Sequence, residues 1–415
     1  MELSRESSKQ PEVNIGMVGH VDHGKTTLTQ ALSGTWTDTH SEERKRGISI
    51  KLGYADTAFY KTTDGMHYSE GKHPEGEDGR GELLRVASFV DAPGHETLMA
   101  VMISGASIMD GALLLVAATE KCPQPQTREH LAALEIAGIE NIVVVQNKID
   151  IVSRERAMES FNEIQEFVSG TIAEGAPVIP VSAHHDVNLD VLIEAIEETI
   201  PTPERTEEDG GLMYVARSFD VNRPGSRPSG LRGGVIGGSI VEGSFSVGDS
   251  ILIAPGRRAQ QGSKTARWEP LRTTIEGIQG GGADLDTAYS GGLCGIATPL
   301  DPLATKADDL SGQVMAREGE LPPIWEELKL DLQLLEKMVS SEEGVDGAIR
   351  PLQPNEMLMV NSATATSVGT VANIKGKKAT LSLRLPICAK EGSRITLSRR
   401  VGSRWRLIGH GTISG

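Results

Sequence analysis

Short apolar runs alternate with longer amphipathic stretches over the N-terminal half of the chain. The short runs are β-branched or continuously apolar and are bounded by Gly, Pro or polar residues. They lie at residues 13–18, 87–92, 111–117, 141–148 and 177–182. The longer stretches carry apolar residues at helical spacing and lie at residues 127–137, 154–169 and 189–199. Buried strands separated by covering helices predict βαβ units around a parallel sheet.

The pattern changes after residue 203. Pro201 and Pro203 end the last predicted helix, because proline cannot continue a helix and biases the preceding residue towards extended backbone. Beyond them, glycines punctuate short alternating runs, as is typical of β-barrels. A second break falls at residues 322–323, followed by leucines alternating with polar residues in strand period. We predict a multidomain fold with a disordered tail (1–10), an α/β domain (11–203) and two all-β barrel domains (204–323 and 324–415).

Composition restricts the class of protein. Hydrophobic residues make up 38% and charged residues 24% of the 415 positions, as expected of a soluble globular protein. The first ten residues are polar and no apolar run approaches the length of a membrane span, so we expect no membrane contact. The three widely spaced cysteines favour a cytoplasmic location. A net charge of −16 argues against broad coating of nucleic acid, so any RNA contact must be local.

The segment GHVDHGKT at residues 19–26 fits the phosphate-loop (P-loop) pattern G-x-x-x-x-G-K-[ST] and lies between a predicted strand and a predicted helix. In such a loop, backbone N–H groups bind phosphate oxygens, Lys25 adds positive charge and the Thr26 hydroxyl can bind Mg²⁺. The loop does not select the base, so an ATPase or a kinase could carry it. Asp150 in NKID favours guanine, because adenine offers no donors to match a paired carboxylate. The segment SAH at residues 182–184 follows another strand, where its loop could support the base.

Three further positions predict a nucleotide-dependent switch. Asp91 ends a predicted buried strand, where its carboxylate can reach Mg²⁺ through water, and Gly94 lets its backbone N–H approach the γ-phosphate. His95 could orient the attacking water, with a surface histidine as the alternative. Ser49 lies in a polar loop before Asp91 and could complete the Mg²⁺ shell, with a plain turn before a strand as the alternative.

Five motifs, GHVDHGKT, RGISI, DAPGHE, NKID and SAH, resemble in this order those of the translational GTPases, the group of elongation factor Tu. The resemblance implies an α/β P-loop GTPase domain followed by two barrels, which binds GTP and GDP and hydrolyses GTP. It implies that His95 positions water behind a hydrophobic gate of Val21 and Ile48, and that Thr26 and Ser49 bind Mg²⁺. The implied nucleotide contacts are Asp22, His23, Gly24, Lys25, Thr26, Thr27, Asp91, Gly94, Asn147, Lys148, Asp150, Ser182, Ala183 and His184.

Longer segments at residues 46–56, 121–152 and 216–226 are similar to the gamma subunits of archaeal initiation factor 2. This similarity implies a heterotrimer with alpha and beta subunits that carries methionyl initiator tRNA to the small ribosomal subunit, with GTP hydrolysis releasing the factor. It also implies a second Mg²⁺ at Asp22 and Gly47. The alternatives are an elongation-type or selenocysteine-type tRNA-delivery GTPase and a GTPase that regulates a sulfurylase-like metabolic enzyme.

Two departures from the family pattern bear on metals. Ser49 stands where threonine is usual, and it keeps the hydroxyl that binds Mg²⁺. The family often has a cysteine-rich zinc knuckle, but residues 51–90 contain no cysteine and only two histidines, His67 and His73. We therefore expect no structural zinc.

Basic residues form two groups that could contact tRNA phosphates. One group comprises Lys390, Arg394, Arg399, Arg400, Arg404 and Arg406, with Trp405 available for stacking. The other comprises Arg217, Arg223, Arg227 and Arg232. Solvated hairpins are the alternative explanation for both groups.

Overall fold

The structure is a computed structural model that describes ten segments of the chain. They are residues 10–37, 51–72, 81–94, 98–204, 210–222, 225, 232–259, 267–335, 349–402 and 404–414. Several residues singled out above lie outside these segments, together with nearly all of the predicted N-terminal tail. They are Gly47, Ile48, Ser49, His73, His95, Arg223 and Arg227.

A seven-stranded sheet organises the N-terminal domain. Its strands are β1 (Val13–Gly19), β2 (Gly53–Lys61), β3 (His67–Ser69), β4 (Glu82–Asp91), β5 (Gly111–Ala117), β6 (Ile142–Asn147) and β7 (Val178–Pro180). Their order is β3-β2-β4-β1-β5-β6-β7, with β2 and β3 antiparallel to their neighbours and the remaining pairs parallel. The five predicted strands are confirmed. Every residue of β1, β5 and β6 is buried, which explains their continuous apolar runs.

Helices cover both faces of this sheet. They are α1 (Lys25–Ser33), α2 (Met99–Ala106), α3 (Pro125–Ala137), α4 (Arg154–Val168) and α5 (Leu189–Thr199). The three helices predicted from apolar spacing are confirmed as α3, α4 and α5. Alternate residues of β5 face two cores: Leu113 packs with residues of α1 and α5, and Leu114 packs with residues of α2 and α3. The sheet is therefore buried on both sides.

The middle domain is all-β, as predicted. Its strands are β8 (Gly211–Phe219), β9 (Val235–Ser246), β10 (Ser250–Ala259), β11 (Arg267–Thr274), β12 (Gly277–Gly280), β13 (Ala283–Leu285), β14 (Thr287–Tyr289), β15 (Cys294–Ala297) and β16 (Val314–Arg317). They form a nine-stranded sheet of order β11-β10-β16-β8-β9-β15-β12-β13, with β14 on β9, around a core centred on the fully buried Phe245. A short helix, α6 (Pro302–Thr305), precedes β16.

The C-terminal domain is a closed six-stranded barrel. Its strands are β17 (Ile324–Leu334), β18 (Met357–Ser362), β19 (Ala365–Lys375), β20 (Lys378–Cys388), β21 (Arg394–Val401) and β22 (Arg404–Ile413). The alternating leucines of β17 are confirmed as a strand, with Leu328 and Leu330 in the barrel core. The predicted hairpin at Gly376 is confirmed too: Lys375 pairs with Lys378, and Gly376 has the left-handed φ of 63° that this tight turn needs.

Side chains connect the N-terminal and middle domains. Asn14 of β1 donates to the Ser239 hydroxyl of β9 at 3.0 Å. Lys51, which follows the RGISI motif, forms an ion pair with Asp308 of the middle domain. The predicted boundaries at residues 203 and 323 fall between elements, after α5 and just before β17. Among the described residues, no helix is long and apolar enough to cross a membrane.

Candidate functional site

The P-loop joins β1 to α1 at the carboxyl edge of the parallel strands. Gly19, Asp22 and Gly24 have left-handed backbone angles, with φ of 143°, 63° and 89°. A Cβ on Gly19 would lie 2.5 Å from the Leu115 carbonyl oxygen, and one on Gly24 would lie 2.4 Å from the Asn147 amide nitrogen. Glycine is therefore required at both positions of the pattern. A loop of this curvature, ending at a helix N-terminus, presents N–H groups to an anion.

Lys25 lies inside this loop. It is 7% exposed, and its Nζ donates to the carbonyl oxygens of Gly19 at 3.0 Å and His20 at 2.8 Å. Gly94, from the DAPG segment, closes on the same loop: its Cβ would lie 2.5 Å from the Lys25 Nζ and 2.9 Å from the Val21 backbone nitrogen. The structure thus brings the two predicted phosphate-binding segments into contact around one positive charge.

Two hydroxyl groups and a carboxylate lie together at the end of β4. Asp91 is fully buried, and its Oδ2 accepts hydrogen bonds from the Thr26 hydroxyl at 2.8 Å and the Thr37 hydroxyl at 2.6 Å. Hydroxyl and carboxylate oxygens are the ligands that Mg²⁺ prefers, so this donor set fits that ion. Sequence reasoning missed Thr37, which belongs to none of the motifs. The structure shows only that Thr37 packs closely on Gly53, where a Cβ would lie 2.5 Å from the Thr37 Cβ.

The NKID and SAH loops meet beside the P-loop. Asn147 is 3% exposed and joins all three segments: its Nδ2 donates to the His23 carbonyl at 2.9 Å, and its Oδ1 accepts from the Ala183 N–H at 3.1 Å. The neighbouring Ser182 hydroxyl lowers the pKa of the Asp150 carboxyl, which favours the ionised form that the guanine prediction requires. The buried Asn147 therefore joins the NKID loop, which carries Asp150, to the P-loop and the SAH loop.

The other candidates surround these groups. Lys148 has a left-handed backbone with φ of 65°, which turns the chain after β6. His184 is exposed and packs its ring edge-on to His185, with centroids 4.7 Å apart. Asp22 is exposed at the rim of the loop, and Thr27 is half-buried in the first turn of α1. The described candidates thus converge on one site.

Two buried histidines, the predicted nucleotide contact His23 and the unpredicted His130, form a layer behind the P-loop. The Nδ1 of His130, on α3, accepts the Gly19 N–H at 2.9 Å, and burial lowers the pKa of His130 to about 3. The ring is therefore neutral and carries its proton on Nε2. Burial also lowers the pKa of His23 to about 3, and its Nδ1 donates to the Leu115 carbonyl at 2.8 Å. Helical spacing predicted α3 but could not tell which of its residues faces the P-loop.

Two of the basic residues near the C-terminus are not available to an RNA. Arg399 is 5% exposed and forms an ion pair with Glu356, and Arg406 is 9% exposed and pairs with Glu129 of α3. For these two the expectation of tRNA contact is wrong, because each serves an ion pair within the chain. Arg217 likewise pairs with Asp308 at 2.8 Å. Exposed members of the two groups include Arg400, Arg404 and Arg232.

No group of three His, Cys, Asp or Glu side chains with the arrangement of a metal site occurs in the segments that the structure describes. His67 is buried on β3, and His73 lies beyond the described part of this region. The absence of structural zinc stays a prediction.

Comparison with known proteins defines the class. The family model described as the elongation factor Tu GTP-binding domain matches residues 10–202, which contain the whole site. The bacterial selenocysteine-specific elongation factor EF-Sec has the same fold, with a TM-score of 0.74 at 22% identity over 97% of this chain and 58% of that chain. Elongation factor SelB from Methanococcus maripaludis, in complex with the GTP analogue GppNHp, gives 0.71 at 21% identity over 98% and 79%. The chain is a translational GTPase.

Sequence relatives narrow the family. The model described as initiation factor eIF2 gamma, C terminal, matches residues 326–413. Proteins named translation initiation factor 2 subunit gamma are 55% identical in Methanococcus maripaludis, over 98% of this chain and 99% of the relative, and 55% identical in Halorubrum lacusprofundi, over 99% and 100%. The Methanocaldococcus jannaschii protein of that name is 54% identical over 99% of both chains. The chain belongs to the family of translation initiation factor 2 gamma subunits, which confirms the resemblance drawn from its motifs.

Proposed function

We propose that this GTPase binds methionyl initiator tRNA and delivers it to the small ribosomal subunit, as part of a heterotrimer with alpha and beta subunits. GTP hydrolysis then releases the factor. The printed names of the relatives support a role in translation initiation. The observation that carries the proposal is a cavity between the GTPase domain and the middle domain, where a ligand would contact both.

This cavity has a volume of about 500 Å³, within the roughly 300–1,000 Å³ range of small-ligand pockets. Its lining includes Tyr54, Asp56, Thr57, Leu83, Gly281 and Leu293. One wall is formed by residues 54–58 of β2. One edge of this stretch pairs with β4, and its other edge has no strand partner among the described residues, because β3 pairs only with Phe59–Lys61. The other wall is the turn at residues 281–282 of the middle domain. A ligand here would be sensitive to how the two domains are arranged.

The chemistry of the cavity suits an aminoacyl ester. Asp56 accepts a hydrogen bond from the Ser88 hydroxyl at 2.6 Å. Burial raises the pKa of the Asp56 carboxyl because its ionised form is poorly solvated, and a bound cation would stabilise that form. We propose that this carboxyl pairs with the α-ammonium group of the methionyl ester. Leu83 and Leu293 offer apolar surface to the thioether side chain.

At the nucleotide, we propose that the P-loop N–H groups and Lys25 bind the phosphates and that Asp150 reads guanine. Thr26 and Asp91 would hold Mg²⁺, with Ser49 joining them. When bound, this ion neutralises charge that develops on the phosphates. The roles of His95, Val21 and Ile48 in hydrolysis, and of Asp22 and Gly47 at a second Mg²⁺, rest on the family resemblance. Replacing Thr26 by Val should raise the Mg²⁺ concentration needed for GTP binding, as measured in EDTA-buffered titrations.

Filter binding with initiator and elongator methionyl-tRNA, each in GTP and in GDP, tests the tRNA proposal. We expect the tightest binding for initiator tRNA with GTP. Asp56→Asn should weaken it at least tenfold, because the ammonium loses its ionic partner. Asp190→Asn is the matched control, since Asp190 is exposed on α5 and is not among the residues that line the cavity. Equal affinity for the two tRNAs would overturn the proposal, and an unchanged Asp56→Asn variant would overturn the assignment of the cavity.

A further inference from the structure

Helix α3 lies between the P-loop and the C-terminal barrel and contacts both through consecutive residues. The His130 Nδ1 accepts the Gly19 N–H of the P-loop at 2.9 Å. The Glu129 carboxylate accepts from the Arg406 guanidinium of β22. One helical turn thus carries a contact to the nucleotide site and a contact to another domain.

The contact at the P-loop fixes Gly19, the residue whose carbonyl oxygen also accepts a hydrogen bond from Lys25. The N–H of Gly19 donates to His130, and its carbonyl oxygen accepts from the Lys25 Nζ at 3.0 Å. His130 is buried and neutral, so its Nδ1 is a permanent acceptor. Loss of this acceptor would leave a buried N–H without a partner at the start of the loop. The position of α3 therefore bears directly on the geometry around Lys25.

The contacts at the barrel fix α3 at two points. The side chains of Glu129 and Arg406 are only 6% and 10% exposed, so this ion pair is largely shielded from solvent, and removing either partner perturbs a buried contact. Near the other end of the helix, the Arg394 guanidinium donates to the Ile136 carbonyl oxygen at 2.6 Å. Both attachments come from the hairpin β21–β22. This hairpin therefore sets the position of α3 against the parallel sheet.

We propose that Glu129, His130 and Arg406 are positioning residues for the nucleotide, through which the C-terminal barrel sets the affinity of the P-loop for GDP and GTP. Any ligand that shifts the barrel on α3 changes nucleotide affinity, and the nucleotide changes the affinity for that ligand by the same factor. The proposal rests on the GTPase class of the chain and is independent of tRNA binding.

The test measures the dissociation constant of a fluorescent GDP for the full chain and its variants. His130→Ala should weaken binding at least tenfold, and His130→Asn should recover most of the loss, because its amide oxygen can accept the Gly19 N–H. Arg406→Met should weaken binding at least fivefold. Combining His130→Ala with Arg406→Met should weaken it far less than the product of the single effects, because both changes act through one element.

A matched control breaks another ion pair of the barrel. Glu242 of the middle domain pairs with Lys390 of the C-terminal domain, and neither residue is on α3. Glu242→Gln should leave GDP affinity within twofold of the unaltered chain. If Arg406→Met does not fold, as judged by circular dichroism, Glu129→Gln replaces it in the same cycle. The proposal would be overturned if the variant that breaks the Glu129–Arg406 ion pair had unchanged GDP affinity. It would also be overturned if the effects of the two single changes multiplied fully in the double variant.

Discussion

Gly94→Ala tests whether the DAPG segment and the P-loop form one unit. The added Cβ would lie 2.5 Å from the Lys25 Nζ, 2.9 Å from the Val21 nitrogen and 3.1 Å from the Gly19 carbonyl oxygen. The lysine end can move aside, but the other two atoms belong to the backbone of the loop. Overpacking of this kind costs about 1–3 kcal/mol. If that cost falls on the nucleotide-binding conformation, affinity drops roughly 5- to 150-fold.

Displacement of a fluorescent GDP by unlabelled GDP and GTP measures this effect. The loss should be larger for GTP, because Gly94 faces the predicted position of the γ-phosphate. Gly277→Ala is the matched control, since its nearest neighbour would be the Ala297 Cβ at 3.9 Å. Neither glycine has a left-handed φ, so backbone strain does not contribute. A Gly94→Ala protein that binds both nucleotides within twofold of the unaltered chain would refute the steric argument.

Three further predictions concern buried polar groups. Arg399→Met should destabilise the chain by about 1.5–3 kcal/mol in urea, because the Glu356 carboxylate loses its nearer cation and keeps only Arg350, at 3.7 Å, and the Gln353 N–H. The exposed Arg400→Met should cost less than about 0.5 kcal/mol. Equal costs would contradict the assignment. His23 and His130 have folded pKa values of about 3, below the unfolded value of 6.5, so the unfolded chain binds more protons between these limits. Stability should therefore fall by about 2 kcal/mol from pH 6 to pH 5, and His130→Asn should halve that slope. Burial raises the pKa of the three cysteine thiols to about 12, so Ellman's reagent should label them only after unfolding.

The parallel strands and the nucleotide motifs could be predicted because their determinants are local. A strand buried on both faces must be apolar throughout, and β5 meets that condition at every position. The P-loop, in turn, needs glycine at Gly19 and Gly24, where the backbone is left-handed and a Cβ would also meet a neighbouring atom at 2.5 Å or less. These requirements act on consecutive residues, so they leave a readable pattern.

Other elements left no such pattern. Strand β2 is partly exposed, and its alternation of apolar and polar residues is weak. Helix α2 is apolar over most of its surface because it is largely buried, so it lacks the polar stripe by which a surface helix is identified. The run Arg399-Arg400 looks uniformly basic in the sequence, but successive strand residues point to opposite faces and only Arg400 is exposed. The partner of Arg399 lies 43 positions earlier, at Glu356.

The contacts that hold the nucleotide site in place are separated by long stretches of sequence. His130 reaches Gly19 across 111 positions, Asn147 reaches the His23 carbonyl across 124, and Arg406 reaches Glu129 across 277. Motifs therefore predict the groups that contact GTP, but they do not identify the residues that position those groups. Two GTPases of this family could share every motif and still differ in nucleotide affinity through such distant contacts. Differences in nucleotide affinity between relatives should therefore be sought at positions 129, 130 and 406 as well as in the P-loop.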